Sequence, residues 1–321
     1  MRALDDSYQV KGRGKPTIKH RKTARPSLEY TTRGFGIRDG RLLLAKGVSI
    51  PVVWSRGLPS DPTSVRVCRD NLGHWYASFV VIRPISPARP ATGSIGIDWG
   101  VKVPATTTDP AFDLRYLGHR KRCAAELGRA QRKMARRARR RGRKLHGPQS
   151  AGYRRAERQA ARLAKKAARQ NQHDGRIWAR RIADRHDLIA VEDFRPKFLA
   201  RSKMARKAAD SSVGTLKRTL VEYGTRAGRK VVLVQPAYTT MTCSRCGERQ
   251  ARLGLAERVF RCASCGYTAD RDRNAARVIL ATAERGCAGA DDISHPSRLL
   301  PGRGTGAVRA GNPPASAAGK R

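Results

Sequence analysis

The sequence is short of acidic residues. Its 321 residues contain 25 Asp and Glu against 68 Lys and Arg, which gives a formal net charge of +43 at pH 7. Such an excess of one sign repels itself unless a polyanion neutralises it, and each phosphate contact of a nucleic acid releases counterions and strengthens binding. Nucleic acid is therefore the expected partner. A genome rich in Arg and Ala codons, or attraction to a membrane surface, would be alternative explanations of this charge.

Long apolar segments are also absent from the sequence. The first residues lack the apolar core of a signal peptide, and the longest apolar runs are as short as Val231–Val234. We expect a soluble, cytoplasmic, nucleoid-associated protein with no membrane partner and no small-molecule substrate. Cysteine is scarce, with seven residues, and in a reducing compartment these thiols are expected to bind metal or lie buried rather than form disulfides.

Four of the seven cysteines have the spacing of a zinc site. Two residues separate Cys243 from Cys246, and after fifteen further residues Cys262 and Cys265 repeat the spacing. Each pair can direct two thiolates at one ion, and the glycine after each pair allows a tight turn. These four cysteines predict a zinc ribbon with a structural ion, because four thiolates leave no open position. A redox-active pair is the alternative, but it normally needs only one such motif.

Composition and hydrophobic pattern divide the chain into several parts. Short alternating strands separated by turn signals predict a small β domain, and later strands alternate with helices, which predicts an α/β core with a mixed sheet. We expect this core to open with three successive strands, the last of them over residues 112–118. The predicted parts are a basic arm with an antiparallel β domain (1–92), the α/β core (93–236) with a basic helical insert (118–184), the zinc ribbon (237–269), the final motif and helix of the core (270–286) and a disordered tail (287–321).

The insert is dominated by Ala, Arg, Lys and Gln, which have high helix propensity. Because His146-Gly147-Pro148 interrupts it, we predict two long basic helices that form a hairpin. Its most basic stretch contains no acid, unlike an ordinary solvated helix face, and this favours binding to a phosphate backbone over a merely Arg-rich surface. The predicted nucleic-acid-binding residues are Arg132, Lys133, Arg136, Arg137, Arg139, Arg140, Arg141, Arg143 and Lys144.

Three acidic residues are candidates for metal-dependent chemistry. Asp98 and Glu192 each end an apolar strand, and Asp272 opens a helix-like stretch. An unpaired carboxylate is costly to bury, whereas carboxylates that converge on two Mg²⁺ ions can support phosphodiester hydrolysis. Each also has a simpler interpretation, as a solvent-facing strand end or as a helix cap. The neighbouring Asp193 and Asp270 are alternative ligands, and position alone does not decide between them.

The order of these motifs resembles that of the TnpB (OrfB) proteins, which are transposon-encoded, RNA-guided DNA endonucleases with a RuvC-like domain. The first two motifs are the segments 96–106 and 190–193, which contain Asp98 and Glu192. The third begins at Tyr238, continues through both cysteine pairs and ends with Asp270-Arg-Asp272-Arg-Asn274-Ala-Ala276. The match extends over roughly residues 10–286, and the third motif is its most specific part.

The resemblance implies an RNase H-like (RuvC-like) core in which Asp98, Glu192 and Asp272 are catalytic and hold two Mg²⁺ ions. It further implies that DNA is the substrate, that a guide RNA from the end of the mobile element is a partner, and that the basic hairpin lies along the guide–target duplex. The β segment 27–81 is expected to correspond to the later part of the family's wedge domain. Family members usually begin with a first wedge strand and a helical recognition domain, which precede the segment that this sequence resembles.

Two other functions compete with the endonuclease. A truncated protein that binds DNA under guidance, or represses it, without cleavage would be favoured by the loss of an acid, and all three acids are present. A transposase that joins DNA ends is the other. None of the seven histidines forms the His-x-His pair of a tyrosine transposase, and a four-cysteine ribbon directly before the last acid does not suit a DDE-type enzyme. The residues therefore favour a nuclease.

Overall fold

The computed structural model describes residues 2–9, 15–16, 24, 26–82, 90–141, 144–145, 147–194, 205–250, 254 and 257–288. These residues form two compact units, which divide between Arg83 and Pro84. Within these ranges, no helix is long and apolar enough to cross a lipid bilayer. Most of the predicted tail (287–321) and Arg143 lie outside the described residues.

The first unit is built from antiparallel strands, as its alternating pattern predicts. It contains helix α1 (Arg2–Gln9) and strands β1 (Ser27–Thr31), β2 (Phe35–Arg38), β3 (Arg41–Leu44), β4 (Val48–Pro51), β5 (Pro62–Arg69) and β6 (Trp75–Val81). Strand β5 pairs with β1 and β6, and β3 pairs with β2 and β4. The buried core consists of Leu42, Leu44, Val65 and Val67. Helix α1 lies in the predicted basic arm, and Asp5 in its first turn complements the helix dipole.

The second unit contains a mixed four-stranded sheet in the order β12-β11-β7-β8. Its strands are β7 (Gly93–Trp99), β8 (Ala105–Thr107), β11 (His186–Glu192) and β12 (Lys230–Val234). Strands β7, β11 and β12 run parallel, and β8 runs antiparallel to β7. The third strand predicted after β7 and β8 is wrong: Leu114 forms one isolated bridge with Ala105. The chain turns instead, because the carboxylate of Asp109 accepts a hydrogen bond from the Ala111 backbone N–H.

Helices cover both faces of this sheet. They are α2 (His119–Arg122), α3 (Ala124–Arg137), α4 (Ala151–Arg185), α5 (Ala205–Ser211), α6 (Val213–Arg226) and α7 (Arg271–Ala288). Trp178 and Ile182 of α4 and Leu216 of α6 belong to the core of one face, and Ile279 and Ala283 of α7 belong to the core of the other. The sheet is therefore the middle of three layers, with α7 alone among the described helices in the core cluster of its face.

Helices α3 and α4 form the predicted basic hairpin. Ser150 starts α4 by accepting a hydrogen bond from the Tyr153 N–H, as an N-cap residue should. The tip differs from the prediction, because α3 ends at Arg137 and the chain continues into a two-residue ladder between β9 (Arg140–Arg141) and β10 (Lys144–Leu145). The described ones among the nine basic residues therefore do not all lie on one helix. A second small ladder, β13 (Val259–Arg261) with β14 (Thr268–Asp270), carries the second cysteine pair between its strands.

Candidate active site and metal centre

Asp98 and Glu192 lie at the carboxyl ends of two neighbouring parallel strands, β7 and β11. Val191 is paired with Ile97 in this ladder, so the residues that follow them stand side by side. Side chains alternate along a strand, which puts Asp98 on the same face as Gly96, the face that α7 covers. Both carboxylates are buried, with 6% and 7% of their surface exposed.

Asp272 reaches the same region from the first turn of α7. The helix packs closely on β7: a Cβ atom added at Gly96 would lie 2.8 Å from Leu280 Cβ and would collide with the carbonyl oxygen of Ala276. Only glycine permits this approach. Because Asp272 is one turn before Ala276, the close packing sets the distance between the third acid and the strand that carries Asp98.

Glu192 and Asp272 both act electrostatically on Asp98. Burial raises the pKa of Asp98 well above its usual value, and the negative charges of Glu192 and Asp272 raise it further. Burial also raises the pKa of Glu192 to about 7. The structure thus brings together the three acids that the sequence singled out. A buried cluster of like charges favours the binding of protons or of cations.

The two alternative acids have other partners. Asp193 forms an ion pair with Lys217, and this pair is largely buried. Asp270 precedes α7, and its Oδ1 atom accepts a hydrogen bond from the Arg273 backbone N–H at 2.9 Å, which makes Asp270 the cap of the helix. The capping role that the sequence allowed for Asp272 therefore belongs to its neighbour. Asp272 keeps its carboxylate partly exposed, at 28%.

Residues that sequence reasoning missed surround these acids. The indole N–H of Trp99 donates to the backbone carbonyl of Glu192 at 3.1 Å and ties the ends of the two strands together. Arg258 Nη1 and Arg271 Nε each lie 3.6 Å from a carboxylate oxygen of Asp272. Arg271 could have been found because it adjoins Asp272 in the sequence. Arg258 gives no such signal, because only the folded ribbon brings it there.

The four cysteines of the ribbon form one cluster. Their sulfur atoms all lie within 4.8 Å of one another, and these residues can hold a metal ion. Cys243 Sγ is 3.7 Å from Cys265 Sγ, and Cys246 Sγ is 3.6 Å from Cys262 Sγ. Four sulfurs placed tetrahedrally at about 2.3 Å from a zinc ion would be separated by about 3.8 Å, so the cluster has the size that zinc requires.

The turns around the cysteines have the conformation that the glycines predict. Gly247 and Gly266 adopt φ values of 80° and 70°, in the left-handed region that favours glycine. Each N–H closes its turn by donating to the carbonyl of the first cysteine of its pair, Cys243 or Cys262. The backbone N–H of Cys265 lowers the pKa of Cys262 to about 7, whereas at Cys246 the Glu248 backbone N–H is outweighed by burial and by hydrogen bonds to the other three thiols, which raise the pKa of Cys246 to about 12.

The basic hairpin presents an exposed cationic surface. Six of the nine predicted nucleic-acid-binding residues have described side chains, and all six are exposed: Arg132, Lys133, Arg136, Arg137, Arg139 and Arg140. Arg137 also donates to the carbonyl of Gly152 on α4, so it braces the hairpin. Arg143 and the side chains of Arg141 and Lys144 lie outside the described residues.

Comparison with known proteins identifies relatives of this chain. Residues 214–279 match the family model of the Cas12f1-like TNB domain. A protein of Streptomyces pristinaespiralis, described as a candidate RNA-guided DNA endonuclease, is 31% identical over 283 residues, which cover 87% of this chain and 68% of the relative. The Escherichia coli K12 protein InsQ, with the same description, is 28% identical over 226 residues, or 65% of this chain and 54% of InsQ.

Two further matches are to a viral protein and to a solved structure. The TnpB-like protein L79 of Acanthamoeba polyphaga mimivirus is 42% identical over 80 residues, which cover 25% of this chain and 15% of that protein. Among solved structures, a Cas12f1–sgRNA–target DNA complex aligns with a TM-score of 0.46 and 18% identity, covering 68% of this chain and 45% of the Cas12f1 chain.

Proposed function

Because the chain belongs to the TnpB family of RNA-guided DNA endonucleases, we propose that it cleaves DNA at sites chosen by a guide RNA. The observation that carries the proposal is the placement of Asp98 and Glu192 at the ends of neighbouring parallel strands, with Asp272 in the first turn of the helix that packs on β7. These three acids come from distant parts of the chain, two of them are almost fully buried, and the charges of Glu192 and Asp272 both act on Asp98. A structural role would not require three like charges to share one site.

We propose that Asp98, Glu192 and Asp272 hold two divalent metal ions, and that both are Mg²⁺. Carboxylate oxygens are the ligands that Mg²⁺ prefers, and the buried like charges fit a site that is completed by cations. When bound, such ions supply Lewis-acid stabilisation of the phosphodiester oxygens and an activated water molecule. The partly exposed Asp272 leaves the cluster accessible from solvent, where a phosphate could approach.

The chain's own residues would arrange this chemistry. The parallel ladder between β7 and β11 holds Asp98 and Glu192 rigidly, and Trp99 ties the strand ends together. Arg258 and Arg271 lie beside Asp272, where their positive charges would attract the phosphate backbone of the substrate. We propose that the core is RNase H-like, of the RuvC type, and comprises residues 93–236 and 270–286.

The ribbon and the hairpin would have supporting roles. We propose that the ribbon (237–269) holds one structural zinc ion, since four thiolates leave no position open for substrate. The exposed cations of the hairpin would hold the guide–target duplex through its phosphates, while base pairing with the guide selects the sequence. The β segment 27–81 would contribute to holding the RNA.

Cleavage by the purified full chain tests the proposal. The protein is purified with its bound nucleic acid, the RNA is sequenced, and a DNA duplex matching it is supplied with Mg²⁺. We expect one defined RNA and Mg²⁺-dependent cleavage, which Asp98→Asn should abolish while leaving DNA binding unchanged. Glu222→Gln, which changes an exposed carboxylate on α6, is the matched control and should cut normally.

Three outcomes would contradict this function. If Asp98→Asn cuts as well as the wild type, the active site is elsewhere. If the wild type binds a matching duplex but never cuts it, the protein is the guided DNA binder that the sequence left as the alternative. Recovery of random nucleic-acid fragments instead of one RNA would argue against guidance.

A further inference from the structure

Asn274 connects helix α7 to the zinc ribbon. Its side chain is fully buried, two residues after Asp272. Its Oδ1 atom accepts a hydrogen bond from the Ser244 backbone N–H at 2.9 Å, and its Nδ2 atom donates to the Thr242 carbonyl at 2.7 Å. Because these two partners flank Cys243, a single amide holds both sides of a metal-ligating residue.

The position of Asp272 depends on such tethers more than that of the other two acids. Asp98 and Glu192 belong to paired strands, whose ladder fixes them. Asp272 is carried by the first turn of α7, which precedes the point where the helix packs closely on Gly96, so its position also depends on the contacts of that turn. Residues two apart on a helix point about 200° away from each other, so Asp272 and Asn274 lie on nearly opposite sides of α7. Any rotation that moves Asn274 away from the ribbon also moves Asp272.

The first turn of α7 is held from a second direction as well. Arg273, between the two residues, donates to the Thr107 carbonyl of β8 at 2.6 Å and to the Asp113 carboxylate at 2.8 Å. The sheet therefore holds one side of this turn and the ribbon holds another. The sheet side is part of the core, whereas the ribbon side is rigid only to the extent that the Cys243 turn is rigid.

We propose that Asn274 is a positioning residue that transmits the order of the metal-loaded ribbon to Asp272. The inference rests on the proposed function and adds to it a dependence of the acid cluster on the Cys243 turn of the zinc ribbon, 29 residues before Asp272 in the chain. A bound ion fixes the turn at Cys243, the Asn274 amide passes this constraint to α7, and Asp272 is held where it can share a divalent ion with Asp98 and Glu192. Loss of either the ribbon ion or the amide would leave Asp272 held from the sheet side alone, through Arg273.

A double-mutant cycle on the full chain tests the link. Its variants are Asn274→Ala, Cys246→Ser and the double mutant; Cys246 belongs to the cluster but does not touch Asn274 in the described contacts. The readouts are zinc content and the affinity for Mn²⁺, titrated by electron paramagnetic resonance without substrate. We expect Asn274→Ala to keep its zinc and to bind Mn²⁺ about ten-fold more weakly, as is common when a residue behind a metal ligand is lost. The double mutant should bind Mn²⁺ no more weakly than the weaker single mutant.

The control variant comes from the same helix as Asn274. Thr282→Ala changes an exposed residue of the same helix, whose hydroxyl donates only to the helix's own Val278 carbonyl, and should bind Mn²⁺ normally. Additive losses in the double mutant, unchanged Mn²⁺ affinity in Asn274→Ala, or loss of zinc from that variant would each overturn the link. If Asn274→Ala does not fold, Asn274→Asp replaces it: it keeps the acceptor for Ser244, loses the donor to Thr242, and should also weaken Mn²⁺ binding.

Failure of the link can be separated from failure of the proposed function. If Asp272→Ala leaves the Mn²⁺ affinity of the chain unchanged, the acid cluster is not the metal site, and both proposals fail. If Asp272→Ala abolishes Mn²⁺ binding while Asn274→Ala does not weaken it, the acid cluster stands and only the link is refuted.

Discussion

Replacement of Gly96 by alanine tests whether the close packing of α7 on β7 positions the active site. The new Cβ would lie 2.8 Å from Leu280 Cβ and would overlap the Ala276 carbonyl oxygen, distances that real Cβ atoms do not show. Backbone and Cβ atoms cannot turn aside as the end of a long side chain can. Helix α7 would therefore have to move away from β7 by about 1 Å, at a cost of about 1–3 kcal/mol in stability.

The same movement would affect cleavage. Asp272 is one turn from the point of collision, so it should move away from Asp98 by a similar distance, and a displacement of about 1 Å at a reacting centre can lower the rate about 100-fold. We expect urea unfolding of Gly96→Ala to show the loss of stability, and single-turnover cleavage to show a loss of rate larger than the fraction unfolded explains.

The control for this substitution is on α7, the helix that Gly96→Ala would displace. A Cβ added at Gly286 meets nothing within 4 Å, so Gly286→Ala should cut normally and gain up to about 1 kcal/mol through higher helix propensity. Wild-type stability and cleavage in Gly96→Ala would refute the reasoning, because α7 could then not be packed against β7 as described.

Three further predictions concern pH, metal and salt. The pKa of Glu192 is raised to about 7, above its unfolded value, so its carboxyl should cost the metal-free protein up to about 3 kcal/mol as pH rises from about 4.5 to about 7. Urea unfolding should show a smaller slope in Glu192→Gln than in the wild type, because the raised pKa of Asp98 still contributes; an equal slope in the two proteins would contradict the prediction. Cys243→Ser should remove the bound zinc and make the ribbon sensitive to protease, because zinc binding of this kind contributes about 10 kcal/mol to folding in small peptides; a protease-resistant, zinc-free variant would contradict a structural role. Replacing Arg132, Lys133 and Arg136 by Gln should reduce the slope of log binding constant against log salt concentration by up to about 0.9 per residue. The reduction should be the same for duplexes of unrelated sequence. An unchanged slope would mean that the phosphates contact other residues.

The local sequence pattern predicted helices and strands well where hydrophobic alternation or helix propensity alone determines them. The alternating pattern before the core predicted the antiparallel strands of the first unit, and the helix propensity of the insert (118–184) predicted the hairpin of α3 and α4. The third strand of the meander was wrong because an apolar pattern over residues 112–118 cannot show that a side-chain hydrogen bond at Asp109 turns the chain. The predicted extent of the first basic helix was wrong for a related reason. Helix propensity continues through Arg139, Arg140 and Arg141, but the chain has to reverse direction between α3 and α4, and it does so through the β9–β10 ladder.

The sequence by itself determined the ligands of the ribbon. Two cysteines separated by two residues can face one ion within a single turn, and the glycines that follow supply the positive φ values of those turns, so short-range geometry decides the site. It also determined the cationic character of the hairpin, because charge is a property of composition.

Only the tertiary structure decided which acids meet. Glu192 rather than Asp193 joins the cluster because side chains alternate along β11 and Lys217 pairs with the other acid. Asp272 rather than Asp270 joins it because Asp270 caps α7. These choices depend on the register of β7 and β11 and on the packing of α7 against Gly96 of β7. Such contacts join distant parts of the chain, so residue spacing in the sequence does not show them.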